Sequence, residues 1–387
     1  MYNKNLVFAA ACLGMLLFGI AFLSLGTIMS YLTEQYRISG ETLGLLSAIL
    51  PAGILIGSLI FGPLVDKYGY KALLIISSVL LVAAFELIAY TNSFGLVLFA
   101  YFLIGLGGGS LNGGTNALVS VITAEGKGSN LSFLGVFFGL GAMGMPGLLG
   151  LLSKAMSVSN IIASVGFFIL LPTIYFLVIK FPNPIQQKGT KFSENLKLIK
   201  SPAVLILLGF VLFFESGLEG ITNNWSAAFL EKGKGINVES SLYALTILNL
   251  GLLITRLALG FMLKKIRPFV VQFACLALIL VGAILLLTSN SVTIAYIGVA
   301  LLGIGFAPGF PVVLGYVGEL YAEVTGTAFS IAITIALVGN TLLNYLVGSL
   351  SIPFGIGIFP TIQIISVLLM SLVFWIALGR LKSKIKV

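Results

Sequence analysis

The sequence predicts an all-α polytopic membrane protein with twelve transmembrane helices in two pseudo-symmetric six-helix halves. Composition is the first observation behind this: over 387 residues, 59% are hydrophobic and only 9% charged, whereas about a quarter of a soluble globular protein is charged. The second is the length of the apolar runs, about 20 residues or more, which is what an α-helix needs to cross hydrocarbon. They lack the strict alternation of a membrane β-barrel. The third is an internal repeat at an offset of 198 residues. Gly62 maps to Gly260, Gly105 and Gly107 to Gly303 and Gly305, and Glu125-x-x-Gly128-Ser129 to Glu323-x-x-Gly326-Thr327. Several anchors share one offset, so duplication explains them better than coincidence.

In chain order, span 1 covers 5–31 and is expected to be retained, because its apolar core is too long for a cleaved signal and no clear small-residue cleavage site follows. Spans 2 and 3, at 42–63 and 71–91, flank the polar stretch GPLVDKYGYK. Span 4, 95–122, contains GLGGG at 105–109, which looks like a nucleotide loop only in its glycines; it has no preceding strand and no Lys, so it is read as small-residue helix packing. The same span carries Asn112 and Asn116 at i, i+4, with both amides on one face. Spans 5 and 6 are placed at 130–153 and 158–180. The polar, basic stretch 181–201 is expected to be a cytoplasmic linker, dividing the chain into an N-terminal half at 1–180 and a C-terminal half at 202–387. Spans 7 to 12 follow at 202–230, 240–263, 268–288, 292–318, 326–350 and 356–379.

Charge sets orientation and excludes partners. Most of the 21 basic residues fall in connections that lie on one side, among them Lys67, Lys71, Lys188, Lys191, Lys264, Lys265 and Arg267. The positive-inside rule then puts both termini in the cytoplasm, in what is expected to be a bacterial inner membrane. The net charge of +9 is thus a topology signal and a contact with anionic lipid, with no call for nucleic acid. Cys12 and Cys275 both sit in spans and read as small packing residues, so no disulfide or zinc site is expected. The chain has no histidine, so any proton chemistry has to run on carboxylates.

Span 7 holds the most unusual residues. Glu215 and Glu219 occur where lipid tolerates neither, and an acid at that depth costs about 3 kcal/mol at the helix centre unless it faces a partner, a cation or water. With Thr222 and Asn223 they follow i, i+4, i+7, i+8 spacing, so these four side chains are expected on one face, the wall of a substrate and ion pathway. A structural hydrogen bond or ion pair is the alternative for each acid. Trp225 reads equally as a sugar-stacking ring or as part of the interfacial aromatic belt. Asn340 and Asn344 read as interhelical hydrogen-bond glue, and Glu86 as a peripheral acid. Arg256 and the other bases lie near span ends, which leaves an anionic substrate without a counter-charge at mid-membrane depth.

GPLVDKYGYK resembles the loop 2–3 signature of the major facilitator superfamily, with Gly62, Asp66, Gly69 and Lys71 matching. The resemblance implies the major facilitator fold and a cytoplasmic gate in which Asp66 bonds near the start of a helix of the other half. In the second copy, Arg256-Leu-Ala-Leu-Gly260 followed by Lys264, Lys265 and Arg267, the acid is lost and the bases are kept. Glu125 and Glu323 are expected partners for those bases, so the expected gate comprises Gly62, Asp66, Gly69, Lys71, Glu125, Arg256 and Glu323.

Within that superfamily the chain is more similar to the fucose, galactose and glucose permeases, through NLSFLGVFFGLGAMGMPG, FESGLEGITNNW and GIGFAPGFP. The resemblance implies hinges at Pro146, Gly147, Pro308 and Pro311, and a cation-coupled carrier of a neutral sugar, a hexose or close analogue. On this reading Asn112, Asn116, Asn223, Asn224 and Trp225 hold the sugar. Glu219 and Glu215 serve the coupling ion, sodium or proton, and no other cofactor is expected. The branch's acids on helices 1 and 4 are missing here, so coupling has to use helix 7 or another ion. The carrier is expected to act as a monomer. The alternative is an exporter of amphipathic cationic drugs, whose pocket should be aromatic and apolar. An enzyme is not expected, since no nucleophile or metal motif is present.

Overall fold

The computed structural model describes residues 2–37, 41–152, 155–183 and 201–381. Among these residues there is no strand, and eleven helices are long and apolar enough to cross a membrane. One of them, Ala48–Tyr90, has 43 residues, enough for two crossings. In chain order the helices are α1 (Lys4–Gln35), α2 (Glu41–Tyr90), α3 (Phe94–Ile122), α4 (Lys127–Leu152), α5 (Val158–Val178), α6 (Pro202–Ala228), α7 (Val238–Met262), α8 (Pro268–Thr288), α9 (Val292–Phe306), α10 (Gly309–Leu320), α11 (Thr325–Phe354) and α12 (Phe359–Leu381). Expected spans 2 and 3 are joined in α2, which is interrupted at Gly69 with φ 81° and ψ 168°, a conformation only glycine enters freely. Expected span 10 is split into α9 and α10, because Pro308 lacks the N–H that would carry the helix on.

The expected hinge at Pro146 and Gly147 does not break a helix, since α4 runs through both. The expected break at Pro308 is present. Of the expected linker 181–201, residues 184–200 lie outside the described residues, as does Lys154.

The chain divides into two compact units. Unit 1 comprises Met1–Ala124, Leu134–Ile199 and Tyr321–Ser330; unit 2 comprises Glu125–Phe133, Lys200–Leu320 and Ile331–Val387. Each unit is thus mainly one half of the sequence plus the first turns of a helix from the other half.

Glycine pairs hold the helices within each unit, and they recur at the repeat offset. In unit 1, a Cβ on Gly53 would strike the carbonyl of Phe102, and one on Gly105 the carbonyl of Leu50, so α2 and α3 touch backbone to backbone. In unit 2 their counterparts Gly251 and Gly303 do the same: Gly251 lies against Ala300, and a Cβ on Gly303 would strike Leu248 O. α1 crosses α4 where Gly141 meets Leu16, and α6 crosses α11 where Gly339 meets Phe213. The glycine run 105–109 is helix packing, as its sequence context predicts, with Gly105 and Gly109 both pressed on α2.

Serine hydroxyls repeat too. Ser330 Oγ donates to the carbonyl of Ser58 at 2.6 Å in unit 1, and Ser132 Oγ donates to the carbonyl of Arg256 at 2.7 Å in unit 2, again one offset apart.

Gly303→Leu is expected to lose about 1–3 kcal/mol through overpacking, read as a lower thermal unfolding midpoint in detergent. Gly379→Ala, where an added Cβ meets nothing within 4 Å, should leave that midpoint unchanged or raise it.

Candidate functional site

Unit 2 gathers the polar residues of α6. Glu219 is partly exposed, and its Oε2 lies 3.9 Å from Nη2 of the buried Arg256 on α7. Sequence position puts Arg256 among the bases at the span ends; its long side chain instead brings the guanidinium to an intramembrane acid. A basic counter-charge therefore does reach the site, which corrects the expectation that none would, and the pair carries no net charge. Asn223 donates through Nδ2 to the carbonyl of Glu219 at 2.9 Å and accepts at Oδ1 from Asn249 Nδ2 at 3.2 Å.

A second set of amides leads from α6 to α11. Asn224 Nδ2 and Trp225 Nε1 both donate to Oδ1 of Asn344, at 2.9 and 3.1 Å. Asn344 Nδ2 donates to the carbonyl and Oδ1 of Asn340, at 2.9 and 3.1 Å, and Asn340 Nδ2 donates to the carbonyl of Ser216 at 2.9 Å. The indole of Trp225 packs toward Gly348. Asn340 and Asn344 are interhelical glue as read from sequence, but glue that also fixes the one aromatic ring of the group. That second role escaped the sequence reading; the matching i, i+4 spacing of Asn340 and Asn344 was the available signal.

The expected single face of α6 divides in two. Glu215 and Thr222 are fully buried, whereas Glu219 and Asn223 are half-buried. At about 100° per residue, position 222 falls about 20° from 215, while 219 and 223 are turned about 40° and 80° the other way. Thr222 therefore accepts from Gln363 Nε2 of α12 at 2.8 Å. Glu215 packs against Gly309, at the start of α10, where no Cβ would fit, and neither carboxyl oxygen has a hydrogen-bond partner among the described residues. Gln363 was not singled out in the sequence, where a lone glutamine in an apolar span gives little signal.

In unit 1, the amides of α3 bond to each other: Asn116 Nδ2 donates to the carbonyl of Asn112 at 2.8 Å and to its Oδ1 at 3.2 Å. Asn112 and Asn116 thus belong to unit 1 and the Glu219 group to unit 2. Glu86 is half-buried, and its carboxyl packs against Gly166 of α5.

The signature residues form a second constellation in unit 1. The buried Asp66 accepts at Oδ2 from the backbone N–H of Thr327, at 3.2 Å, and from its hydroxyl, at 2.6 Å. A carboxylate on the first turn of α11 meets unpaired N–H groups and the positive end of the helix dipole. A Cβ on Gly62 would lie 2.6 Å from the carbonyl of Gly326, so only glycine permits this approach. Lys71 donates to the carbonyls of Leu177 and Ile179, at 2.7 and 3.2 Å, closing the end of α5. Gly69 makes the bend described above. Glu125 and Glu323 are both exposed.

Residues 11–344 match the Major Facilitator Superfamily. The chain belongs to this family. It is accordingly a multi-pass membrane transporter and not an enzyme. It is similar to the glucose/mannose transporter GlcP of Bacillus subtilis strain 168, with 24% identity over 366 residues and 90% of each chain covered. Among solved structures it is similar to the superfamily transporter FucP in the outward conformation, with a TM-score of 0.80, 18% identity, 96% of this chain and 98% of that one covered. The proton:xylose symporter XylE bound to 6-bromo-6-deoxy-D-glucose gives a TM-score of 0.78 at 15% identity, over 96% and 95% of the two chains. At those identities the structures establish the fold, which is the major facilitator fold the signature predicts.

Asn344→Ala should release Trp225. In a background lacking the exposed Trp375, tryptophan emission is expected to shift to the red and to become more accessible to a soluble quencher. Thr327→Val removes a hydroxyl bonded to a carboxylate and should cost about 1.5–3 kcal/mol, seen as a lower unfolding midpoint in detergent.

Proposed function

We propose that the protein carries a neutral sugar, a hexose or close analogue, across a bacterial cytoplasmic membrane by alternating access of the halves 1–180 and 202–387, both termini being cytoplasmic. The observation that carries this reading is the amides held by α6. Asn224 and Asn344 meet the indole of Trp225 on one side, and Asn223 and Asn249 pair on another, together the mix of amide donors and acceptors with an aromatic ring that a polyhydroxyl with apolar C–H surface requires. The Glu219–Arg256 pair adds no net charge to this group, which suits a neutral substrate. The relative that transports glucose and mannose supports the same substrate class. Asn112 and Asn116 supply further amides from α3.

Glu219 is the proposed coupling residue, with Glu215 one turn away. A cation that binds Glu219 displaces Arg256, and loss of the cation restores the pair. Sodium suits the oxygen donors of Glu219 and Asn223, while a proton needs the carboxylate alone. Asp66 and Thr327, with Gly62, Gly69 and Lys71, form the proposed cytoplasmic gate; Glu125, Glu323 and the basic cluster complete it. Sugar, coupling ion and lipid are the only partners this reading requires of a monomer.

One observation favours a second reading. Phe18, Phe22 and Phe138 cluster in unit 1 with ring centroids 5.2 to 5.8 Å apart, an aromatic lining of the kind an exporter of amphipathic cations uses.

Uptake of labelled neutral sugars into proteoliposomes, under a sodium gradient, a proton gradient or none, tests the proposal. Accumulation of one hexose under one of the gradients is the expected result. Glu219→Gln should abolish that accumulation while exchange down the sugar gradient persists. Accumulation at the wild-type level in this variant would remove Glu219 from coupling, and sugar-independent efflux of cationic dyes would favour the exporter.

A further inference from the structure

We propose that Glu215 is a proton-binding site, reached from a cavity at the start of α8 through the buried amide of Gln272. This rests on the coupling reading above and deepens it: the coupling ion is a proton, and Glu215 holds it beside the Glu219–Arg256 pair. Glu215 is fully buried, neither of its carboxyl oxygens has a hydrogen-bond partner among the described residues, and its carboxyl presses on Gly309, the first residue of α10. Its charged neighbours are few. Glu219 lies on its own helix, and from α7 comes Arg256, which already faces Glu219 at 3.9 Å. From α8 comes the thiol of Cys275. α10 has no charged residue before Glu319, α11 has none, and α12 has only Arg380 at its far end. A carboxylate here would have neither a hydrogen bond nor a cation of its own, whereas a carboxylic acid is neutral and loses far less by burial. Arg256 is within reach of both acids, so it can serve one carboxylate while the other holds the proton.

The cavity, about 480 Å³, is lined by Pro268 and Phe269 of α8 and by Val312 and Tyr316 of α10, with the exposed Arg267 at its rim. The two helices meet there, since the hydroxyl of Tyr316 lies against the backbone of Phe269. From this point both lead inward to Glu215. On α8, Pro268, Gln272 and Cys275 follow i, i+4, i+7 spacing and share a face; on α10, Gly309, Val312 and Tyr316 follow i, i+3, i+7 and do the same. Each stretch begins on the cavity and ends at Glu215, an axial distance of about 10 Å, and only about 4.5 Å of α10 separates Val312 from Gly309. Gln272 occupies the middle. It is fully buried, and both its amide oxygen and its amide nitrogen lack a hydrogen-bond partner among the described residues. Buried amides are expected to be bonded, and ordered water supplies those bonds where protein does not. An amide both donates and accepts, so it can hold one water toward the cavity and another toward Glu215, whose oxygens offer the next partner. A proton entering from the cavity passes along such waters by exchange of O–H bonds and bonds to one carboxyl oxygen of Glu215. The reverse route releases it.

The test is infrared spectroscopy of the full chain in liposomes, without sugar. At neutral pH the wild type should show the C=O stretch of a protonated carboxyl, and Glu215→Gln should remove one such band that Glu219→Gln retains. On rapid mixing with heavy water the band shifts as the proton exchanges. Gln272→Met, apolar and of similar length, should slow that exchange roughly tenfold, and Gln272→Asn, which keeps the amide, should slow it less. Absence of any protonated-carboxyl band in the wild type would overturn the site without recourse to a variant, and so would an unchanged set of bands in Glu215→Gln. Exchange as fast in Gln272→Met as in the wild type would overturn the route. Because no sugar is present, the two readings fail separately. A chain that behaves as expected here yet accumulates no sugar under any gradient overturns the transport reading alone, and sodium-driven accumulation by a chain without the Glu215 band overturns the proton site alone.

Discussion

Helices surrounded by lipid tails gain nothing by hiding apolar side chains from one another, so close backbone approach has to hold them together. The glycine pairs answer this constraint. Gly53 and Gly105 press α2 and α3 together, Gly251 and Gly303 repeat the contact in the other unit, and Gly141 and Gly339 seat α4 and α11 on their partners. Van der Waals attraction decays steeply with separation, so removing a Cβ at the crossing brings whole rows of atoms into range. This frame places the buried acids Asp66 and Glu215. Asp66 reaches Thr327 only because Gly62 and Gly326 let two backbones meet, and Glu215 occupies its position because Gly309 leaves room for it.

The two copies share this frame and differ in charge. One copy keeps an acid at Asp66 and sets it on a helix start; the other has Lys264 there and a cavity instead. One copy has Ser58 where the other has Arg256, the partner of Glu219. Symmetric packing with asymmetric charge is what a duplicated transporter needs if one half is to do chemistry that the other does not. The acid–base pair then sits in unit 2 and the signature carboxylate in unit 1.

Much of the fold was legible in the sequence because its causes are local. Apolar length set the spans, the spacing of glycines set the repeat, and Pro308 marked where span 10 divides. The two expected spans on either side of GPLVDKYGYK form one element, since the helical conformation is interrupted at Gly69 alone. Side-chain partnerships were less legible. Helical spacing put Glu215, Glu219, Thr222 and Asn223 on a common face, but an arc of about 100° is wide enough to straddle two neighbours, and α6 uses it to address α7 on one side and α12 on the other. The partnership of Arg256 with Glu219 depends on a long flexible side chain between helices far apart in sequence, and no spacing rule encodes that. Asn344 as the anchor of Trp225 was hidden for the same reason.

The paired serine bonds have a consequence for how such a chain changes over generations. Ser132 and Ser330 both donate to a main-chain carbonyl, at Arg256 and at Ser58. Every amino acid provides that carbonyl. These two bonds therefore hold the backbone at each position whatever side chain it bears. A gene copy could drift there from a small hydroxyl to a guanidinium without loosening the joint, and a new charge could be tried in the membrane interior while the old architecture held. Positions of this kind, anchored through the backbone alone, are where a duplicated carrier can acquire a new charge.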